Sequence, residues 1–363
     1  MISSPPRPLT GPDPATIAEA LSKRILGQEE AIREMAVALS KQLAGLRVGN
    51  ILMIGSSGTG KTTLMRAVET YLASDPVLKA RSTVIRIHAN VLGEEAERGR
   101  PGEAVLGRLL ERAREQLGPS VPIDILLRRA ASGIVFVDEV DKIRSHVGGQ
   151  PNVSGIRAQE ALLTLIENEA VPLVLPEWAG GGMATIDSSE LLFVCAGAFE
   201  GLYDAVFDRV TIGKDRGALR PVTVVEGGKV QEKLVFHLRD WLRNEDLFDY
   251  GMSPQFLSRF DAVVLLHDLG EDDLVRIFLE TSESAFHQSR SYFESRGIHL
   301  AVSPAAVRRV ALEAGRQPRL GARALKEVFR RVIRDYEFDP SKFVRDGALL
   351  IDLPEVEAVL GKG

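Results

Sequence analysis

A glycine-rich stretch of the sequence reads Gly55-Ser56-Ser57-Gly58-Thr59-Gly60-Lys61-Thr62-Thr63. It follows the apolar run 51–54 and precedes residues 64–69, which read as a helix. Glycines between a strand and a helix let the backbone wrap around phosphate oxygens, and the unpaired N–H groups of the helix N-terminus point at them. The stretch therefore predicts a phosphate-binding loop.

The side chains of this loop are of the types that bind nucleotide phosphates. Lys61 is predicted to reach the β and γ phosphates, and the hydroxyl of Thr62 is predicted to bind Mg²⁺. The residues predicted to surround the phosphates are Gly55, Ser57, Gly58, Thr59, Gly60, Lys61, Thr62 and Thr63. The alternative is a glycine turn followed by Lys-Thr by chance, and the flanking strand and helix argue against it.

Composition excludes several classes of protein. A length of 363 residues, 45% of them hydrophobic and 26% charged, is ordinary for a soluble protein of about two or three domains. The net charge of −5 gives no overall attraction to nucleic acid. Cys195 is the only cysteine, so neither an internal disulfide nor a Cys-x-x-Cys zinc site can form. Because no run approaches the length of a membrane span and the N-terminus lacks a signal-peptide pattern, we expect a cytoplasmic protein with no membrane partner.

Strands and helices alternate along the chain. The predicted strands are residues 83–87, 133–137, 191–194 and 262–266, and the predicted helices include 103–117, 123–131, 159–168 and 271–291. Residues 93–102 and 144–155, which are rich in glycine and polar side chains, are predicted to be loops. This alternation is typical of an α/β fold with a parallel sheet covered by helices on both faces.

Changes in pattern also predict the domains. Residues 1–14 are rich in proline and serine and are predicted to be a flexible lead-in. Residues 15–267 form the predicted large domain, in which the irregular stretch 203–249 looks like an insertion. Helical spacing dominates the remainder, so residues 268–363 are predicted to form a smaller, mainly helical domain.

A second nucleotide motif is the buried run 134–137 followed by Asp138 and Glu139. A carboxylate at the end of such a strand, here Asp138, can hold Mg²⁺ through water, and Glu139 can polarise the water that attacks the γ-phosphate. Taken alone, this pattern fits an ordinary strand end as well as it fits a nucleotide site. Its place after a phosphate loop and before Asp141-Lys142 favours the nucleotide interpretation.

Six further blocks stand in the order of one known family. They are Ile25-Leu26-Gly27-Gln28-Glu29-Glu30-Ala31, Asp138-Glu139-Val140-Asp141-Lys142-Ile143, residues 159–167, residues 193–199, residues 253–259 and Gly321-Ala322-Arg323-Ala324-Leu325. Together they resemble the ClpX/HslU branch of the AAA+ ATPases over residues 12–345. The resemblance implies an AAA+ P-loop NTPase large domain and a smaller helical domain, assembled as a homo-oligomeric ring, usually a hexamer, with ATP bound between subunits.

The resemblance also implies roles for particular side chains. Ile25 and Leu26 would pack on the adenine. Arg259 matches the arginine that a subunit offers to its neighbour's γ-phosphate, and Arg323 matches the arginine by which the small domain senses the same phosphate. A guanidinium suits both roles because it is always charged and its forked donors fit phosphate oxygens. Without the surrounding blocks, either arginine would be read as part of a surface ion pair.

The substrate loop departs from the family. Unfoldases of this branch grip substrate with Gly-aromatic-Val-Gly, where this chain has Gly99-Arg100-Pro101-Gly102. An aromatic ring grips any chain, whereas a guanidinium prefers carboxylates, phosphates or aromatic partners, and proline stiffens the loop. The alternative is that these residues have no role in a pore.

Other family features are missing as well. Residues 176–182, Pro-Glu-Trp-Ala-Gly-Gly-Gly, replace the Arg-Lys-His loop of ClpX, and Thr211-Ile212-Gly213-Lys214 lacks the aromatic of its Ile-Gly-Phe peptidase-docking tripeptide. We expect neither the zinc-binding domain of ClpX nor the inserted domain of HslU. The stretch Cys195-Ala196-Gly197 offers no obvious polar side chain at the position where the family senses nucleotide.

The sequence therefore predicts an ATPase with ATP and Mg²⁺ as cofactors that remodels a dedicated protein partner, with Arg100 contacting that partner and peptidase docking doubtful. One alternative is an ordinary unfoldase that feeds a protease. A second is a nucleotide-dependent assembly switch or scaffold that threads nothing. A third is nucleic-acid remodelling through Arg98 and Arg100, against which the acidic net charge and the lack of interleaved aromatics argue.

Overall fold

The computed structural model describes residues 11–99, 102–167, 170–215, 219, 222–226, 229–233 and 236–361. Its helices are α1 Pro14–Ser22, α2 Glu29–Leu43, α3 Lys61–Ser74, α4 Pro76–Lys79, α5 Asn90–Glu97, α6 Glu103–Leu117, α7 Ile123–Ala131, α8 Val153–Glu167, α9 Leu202–Thr211, α10 Leu238–Trp241, α11 Asn244–Tyr250, α12 Pro254–Leu257, α13 Glu271–Glu280, α14 Ala285–Glu294, α15 Pro304–Gly315, α16 Ala322–Phe338 and α17 Leu353–Leu360. Its strands are β1 Asn50–Ile54, β2 Val84–His88, β3 Ile134–Asp138, β4 His146–Val147, β5 Gln150–Pro151, β6 Val171–Val174, β7 Met183–Ile186, β8 Leu192–Gly197, β9 Val222–Glu226, β10 Lys229–Lys233, β11 Phe260–Leu265, β12 His299–Val302 and β13 Ala348–Ile351. Within the described ranges, no helix is long and apolar enough to cross a membrane.

The described residues group into two compact units. Residues 49–54 and 83–265 form one, which we call the sheet unit, and residues 11–48, 55–82 and 266–361 form the other, which we call the loop unit because it contains the phosphate loop. The predicted domain limits, 15–267 and 268–363, stay a prediction.

The sheet unit is built on a five-stranded sheet of order β11-β1-β8-β3-β2. Every pairing between neighbouring strands in it is parallel. All residues of β8 are buried, which is expected of a central strand covered on both faces. The predicted parallel α/β fold is confirmed, and the carboxyl ends of β2 and β3 bring His88 and Asp138 into register.

Helices α6 and α7 coincide with their predictions. The apolar stripe of α6, formed by Val105, Leu109, Leu110 and Ala113, is buried in the core of the sheet unit. Burying one leucine side chain of this kind contributes roughly 1.5–3 kcal/mol. In α6, the helical spacing of apolar residues therefore predicts the buried face correctly.

Three predicted elements differ in the structure. The predicted loop 93–102 is wrong at its start because α5 continues to Glu97, and Leu92 is buried where α5 packs against α8. Helix α8 begins at Val153, inside the predicted loop 144–155. The predicted helix 271–291 is two helices, α13 and α14. Ser284 begins the second of them, because its hydroxyl accepts the N–H of His287 at 3.2 Å and so caps α14.

The predicted insertion, residues 203–249, contains regular structure. Helix α10 falls within it, α9 and α11 overlap its two ends, and β9 pairs with β10 as an antiparallel hairpin. Arg209 ties the ends of the segment together, donating to Asp246 at 2.8 and 2.9 Å, to the carbonyl of Trp241 at 2.6 Å and to Asp215. A forked guanidinium satisfies these separate acceptors at once.

The loop unit has a helical core in its C-terminal part. The long helix α16 buries the stripe Ala324, Leu325, Val328, Phe329, Val332 and Ile333. The predicted helical character of this region is therefore confirmed, with the addition of a parallel two-stranded sheet of β12 and β13. The N-terminal part is tied to it by Gln28, whose amide donates to the carbonyl of His267 at 2.8 Å and accepts from its N–H at 3.0 Å.

Candidate functional site

The phosphate loop lies in the loop unit, between the end of β1 and the start of α3. Lys61 is the first residue of α3, and its side chain is only 8% exposed. Its ammonium group donates to the carbonyls of Gly55 and Ser56. Thr62 follows on the first turn of α3, half-buried, and Thr63 is exposed. A lysine and the N-terminus of a helix therefore lie together at one end of the loop, which is an arrangement that suits phosphate oxygens.

At Gly58 in this loop no other amino acid fits without a clash. Its φ is +78°, and a Cβ built on it would lie 2.0 Å from the carbonyl oxygen of Leu320. The close approach joins the loop to the segment that leads into α16. Thr59 closes the same turn, since its hydroxyl donates to the carbonyl of Ser56 at 2.9 Å.

Arg323 reaches the phosphate loop from the start of α16. Its Nη1 donates to the hydroxyl of Ser57 at 2.7 Å, and the N–H of Ala322 donates to the carbonyl of Gly58 at 3.1 Å. These residues are separated by more than 260 positions in the sequence. The structure therefore brings a second always-charged cation to the loop that contains Lys61.

Ile25 lies beside Gly60 of the loop. It is 4% exposed, and its Cγ2 is 3.8 Å from a Cβ built on Gly60. Leu26 is half-buried. An apolar side chain therefore borders the loop at the end where α3 begins.

We expect Gly58→Ala to lower stability and to weaken binding of a fluorescent ATP analogue. The left-handed backbone costs a non-glycine residue about 1–2 kcal/mol, and the contact with the Leu320 carbonyl adds to that cost. Gly45→Ala is the matched control, because Gly45 has φ +71° and nothing within 4 Å of a built Cβ. Urea unfolding of both variants separates the two costs. Equal losses in the two variants would show that the contact with Leu320 does not matter.

Asp138 and Glu139 lie in the sheet unit, at the carboxyl end of β3. Glu139 has a left-handed backbone, with φ 59° and ψ 36°, and its N–H donates to Oδ1 of Asp138 at 3.0 Å. Its carboxylate pairs with His88 at 3.7 Å, and both side chains are at least half exposed. A non-glycine residue held in this conformation is uncommon and is found at sites where a side chain must be aimed.

The carboxylate of Asp141, from the segment after β3, lies at the carboxyl end of β8. Asp141 is 2% exposed, and its Oδ1 accepts the N–H of Ala198 at 3.1 Å. A Cβ on Gly197 would lie 2.6 Å from the same oxygen. Cys195 itself is buried inside the strand, where burial raises the pKa of its thiol far above its ordinary value. The sequence alone, which offered no polar residue within 195–197, did not show that the carboxylate of Asp141 lies beside this end of β8.

Arg259 lies just after α12 in the sheet unit and pairs with Glu167, the last residue of α8. Both side chains are about 40–50% exposed, so the pair is at the surface. Sequence reasoning missed Glu167, and it also missed His88, because a glutamate or histidine that meets a functional residue across the fold has no local signature.

The predicted substrate loop is described only at its two ends. Gly99 and Gly102 have φ +71° and +85°, and Arg100 and Pro101 lie outside the described residues. Glu95, from the last turn of α5, is 8% exposed, and its Oε1 accepts the N–H of Ala104 at the start of α6. One buried carboxylate thus bridges the helices on either side of the loop. Burial raises the pKa of Glu95 above its ordinary value of 4.5, while the amide donors of α6 oppose that rise.

We expect Glu95→Gln to be more stable than the parent protein at neutral pH, and we expect the difference to shrink as the pH falls. Because the pKa of Glu95 is raised in the folded state, its stabilising contribution is complete below pH 4.5 and is lost as the pH rises through the folded value. Glutamine keeps the acceptor for the Ala104 N–H and carries no charge. Urea unfolding between pH 5 and 8, with the exposed Glu97→Gln as control, measures the difference. A difference that does not change with pH would contradict this explanation.

Known proteins match this chain along most of its length. Residues 46–263 match the family described as AAA domain (Cdc48 subfamily), and residues 269–337 match the C-terminal, D2-small domain of ClpB protein. The ATP-dependent Clp protease ATP-binding subunit ClpX 3 of Methylococcus capsulatus is 32% identical over 355 residues, which cover 90% of this chain and 76% of the relative. The ClpX subunit of Treponema denticola is 28% identical, covering 90% and 77%, and that of Bacteroides fragilis is 28% identical, covering 94% and 80%.

Proposed function

The chain belongs to the ClpX-like AAA+ ATPases, and from this premise we propose that it uses ATP to remodel a dedicated protein partner, as a hexameric ring in the cytoplasm, without delivering that partner to a peptidase. The resemblance expected from the six sequence blocks is confirmed. Nucleotide binding and ATP hydrolysis are properties of the family, as are assembly into homo-oligomeric rings and action on protein substrates.

The observation that carries the proposal is the contact between Arg323 and Ser57 at 2.7 Å. It supports a loop unit in which Lys61 and Arg323 both act on nucleotide phosphates. We propose that Ile25 and Leu26 pack on the adenine. The loop residues are proposed to surround the phosphates: Gly55, Ser57, Gly58, Thr59, Gly60, Lys61, Thr62 and Thr63.

Mg²⁺ suits the oxygen donors that the two motifs provide. Thr62 and Asp138 are its proposed ligands, and the bound ion would neutralise charge on the phosphates. Within the described residues no cluster of three or more His, Cys, Asp or Glu side chains is placed to hold a metal ion. That finding is consistent with an ion held by few protein ligands and by the nucleotide itself.

Two residues of the sheet unit are proposed to act on the bond that breaks. Glu139 would accept a proton from the attacking water or orient that water. Its left-handed backbone fixes the direction in which the carboxylate leaves the chain. Arg259 would stabilise charge on the γ-phosphate bound by the neighbouring subunit, so each subunit would complete its neighbour's nucleotide site. A ring satisfies this requirement for every subunit.

Substrate handling differs from that of peptidase-linked relatives. We propose that the loop Gly99-Arg100-Pro101-Gly102 contacts the partner through Arg100 instead of an aromatic ring. Ile212 is 74% exposed, yet Lys214 stands where the docking tripeptide has phenylalanine. These departures support a partner with acidic or aromatic groups and an activity that ends with remodelling.

The test is steady-state ATP hydrolysis together with the mass of the assembly, with and without ATP. We expect ATP turnover and an ATP-stabilised hexamer from the parent protein. We expect neither from Lys61→Ala, because this variant lacks the ammonium group proposed to bind the phosphates. Lys41→Ala, at an exposed lysine of α2, is the matched control and should behave as the parent. Assembly without turnover would instead support the switch or scaffold, and degradation of a tagged protein with a ClpP-type peptidase would support the protease-linked unfoldase.

A further inference from the structure

Helix α8 carries a buried side chain that joins three segments of the sheet unit. Gln159 is 2% exposed. Its Nε2 donates to the carbonyl of Ile143 at 2.7 Å and to that of Gly251 at 2.9 Å. Its Oε1 accepts the N–H of Ser253 at 2.9 Å. Both amide hydrogens and the carbonyl are thus used, with partners that are far away in the sequence.

The segments that Gln159 joins carry the two residues proposed to act in hydrolysis. Ile143 ends the short segment that begins with Asp138 and Glu139. Ser253 begins the segment of α12, which it caps by accepting the N–H of Phe256 at 3.3 Å, and Arg259 lies two residues after α12. One side chain is therefore bonded both to the Glu139 segment and to the Arg259 segment.

The far end of α8 holds the guanidinium of Arg259 directly. Glu167, its last residue, pairs with Nε of Arg259. The backbone of Arg259 is fixed separately, because Asn50 donates to its carbonyl at 3.1 Å. A helix is a stiff element, so the positions of Gln159 and Glu167 on α8 are not independent of each other.

The same helix contacts the Gly102 end of the predicted substrate loop and the helix that precedes the loop. A Cβ built on Gly102 would lie 2.4 Å from Cδ2 of Leu165, and α5 packs along α8.

We infer that α8, through Gln159 and Glu167, couples the Glu139 segment of one subunit to the Arg259 that this subunit offers to its neighbour. The inference rests on the proposed function, since it requires Arg259 to act in the adjacent subunit. Gln159 and Glu167 are positioning residues: neither is assigned a contact with nucleotide. In a variant that still folds and joins the ring, loss of Gln159 or Glu167 changes the neighbour's turnover only if that side chain positions Arg259.

Mixed rings separate these two roles. A subunit with Glu139→Gln is not expected to hydrolyse its own ATP, but it still offers Arg259 to its neighbour. In a mixture with parent protein, ATP turnover therefore measures hydrolysis by the parent subunits that receive this arginine. Three such donors are compared in the same excess over parent protein: Glu139→Gln alone, Glu139→Gln with Gln159→Met, and Glu139→Gln with Arg259→Ala.

We expect the Gln159→Met donor to lower turnover by about tenfold relative to the Glu139→Gln donor, towards the level of the Arg259→Ala donor. Misplacing a catalytic group by about 1 Å costs up to ~10²-fold in rate. Turnover equal to that with Glu139→Gln alone would overturn the inference. If the Arg259→Ala donor itself has no effect beyond Glu139→Gln, then the proposed role of Arg259 in the neighbour fails, which is a separate result.

A second donor covers the case in which loss of three buried hydrogen bonds prevents Gln159→Met from folding or joining the ring. Glu167→Gln changes a side chain that is 39% exposed, so unfolding by urea should match that of the parent. In the Glu139→Gln background it should also lower turnover of the mixture, and an unchanged turnover would then overturn the inference. Glu160→Gln, an exposed residue of the same helix, is the matched control.

Discussion

Arg259→Ala is expected to lower ATP turnover by about 10³-fold or more, which corresponds to about 4 kcal/mol of transition-state stabilisation. The guanidinium supplies positive charge where negative charge develops on the transferred phosphoryl group, and no water molecule replaces its forked donors. Affinity for nucleotide should change little, because this interaction is needed mainly in the transition state. Single-turnover hydrolysis and binding of a fluorescent ATP analogue measure the two quantities separately.

Two variants make this test specific. Arg259→Lys keeps the charge but loses the fork, so partial activity at most is expected. Arg157→Ala removes an exposed arginine from α8 in the same unit and should leave turnover unchanged. Because the pair with Glu167 lies at the surface, losing it costs no more than about 1 kcal/mol of stability. A parent-like rate for Arg259→Ala would remove this arginine from the reaction.

Glu139→Gln is expected to lower turnover by about 10²–10⁴-fold while nucleotide still binds. Glutamine has the size and shape of glutamate but cannot take a proton from the attacking water. The lost contact with His88 does not explain such an effect, because an exposed pair at 3.7 Å is worth roughly 0–1 kcal/mol, less than tenfold. The protein should therefore stay assembled with ATP bound.

The measurement is the ATP remaining in isolated assemblies after incubation, together with the rate of phosphate release. Glu111→Gln, an exposed glutamate of α6, is the matched control. Phosphate release at the parent rate from Glu139→Gln would show that another group activates the water. Loss of nucleotide binding in the same variant would show that the carboxylate holds the nucleotide or its metal ion instead.

Several features of this protein could be predicted from the sequence because they depend on neighbouring residues. The phosphate loop is a consecutive pattern of glycines before Lys61 and Thr62, and the helix expected after it is α3, which begins at Lys61. The limits of α6 and α7 follow from a repeat of apolar residues along one face. Parallel strands follow from helices that alternate with buried apolar runs. In each case backbone geometry and side-chain period determine the result.

Other features required the tertiary structure. The partners of Gln159 are 16, 92 and 94 residues away from it, and those of Arg323 and Arg259 are equally invisible to local patterns. Residues 93–97, the second half of α5, fall in the predicted loop because their few apolar residues suffice for a helix only once α8 packs against it. The sequence by itself determined the nucleotide motifs, the family and the fold class. Only the tertiary structure decided which polar side chains meet, because each buried polar group is paired by packing of segments that the chain order does not bring together.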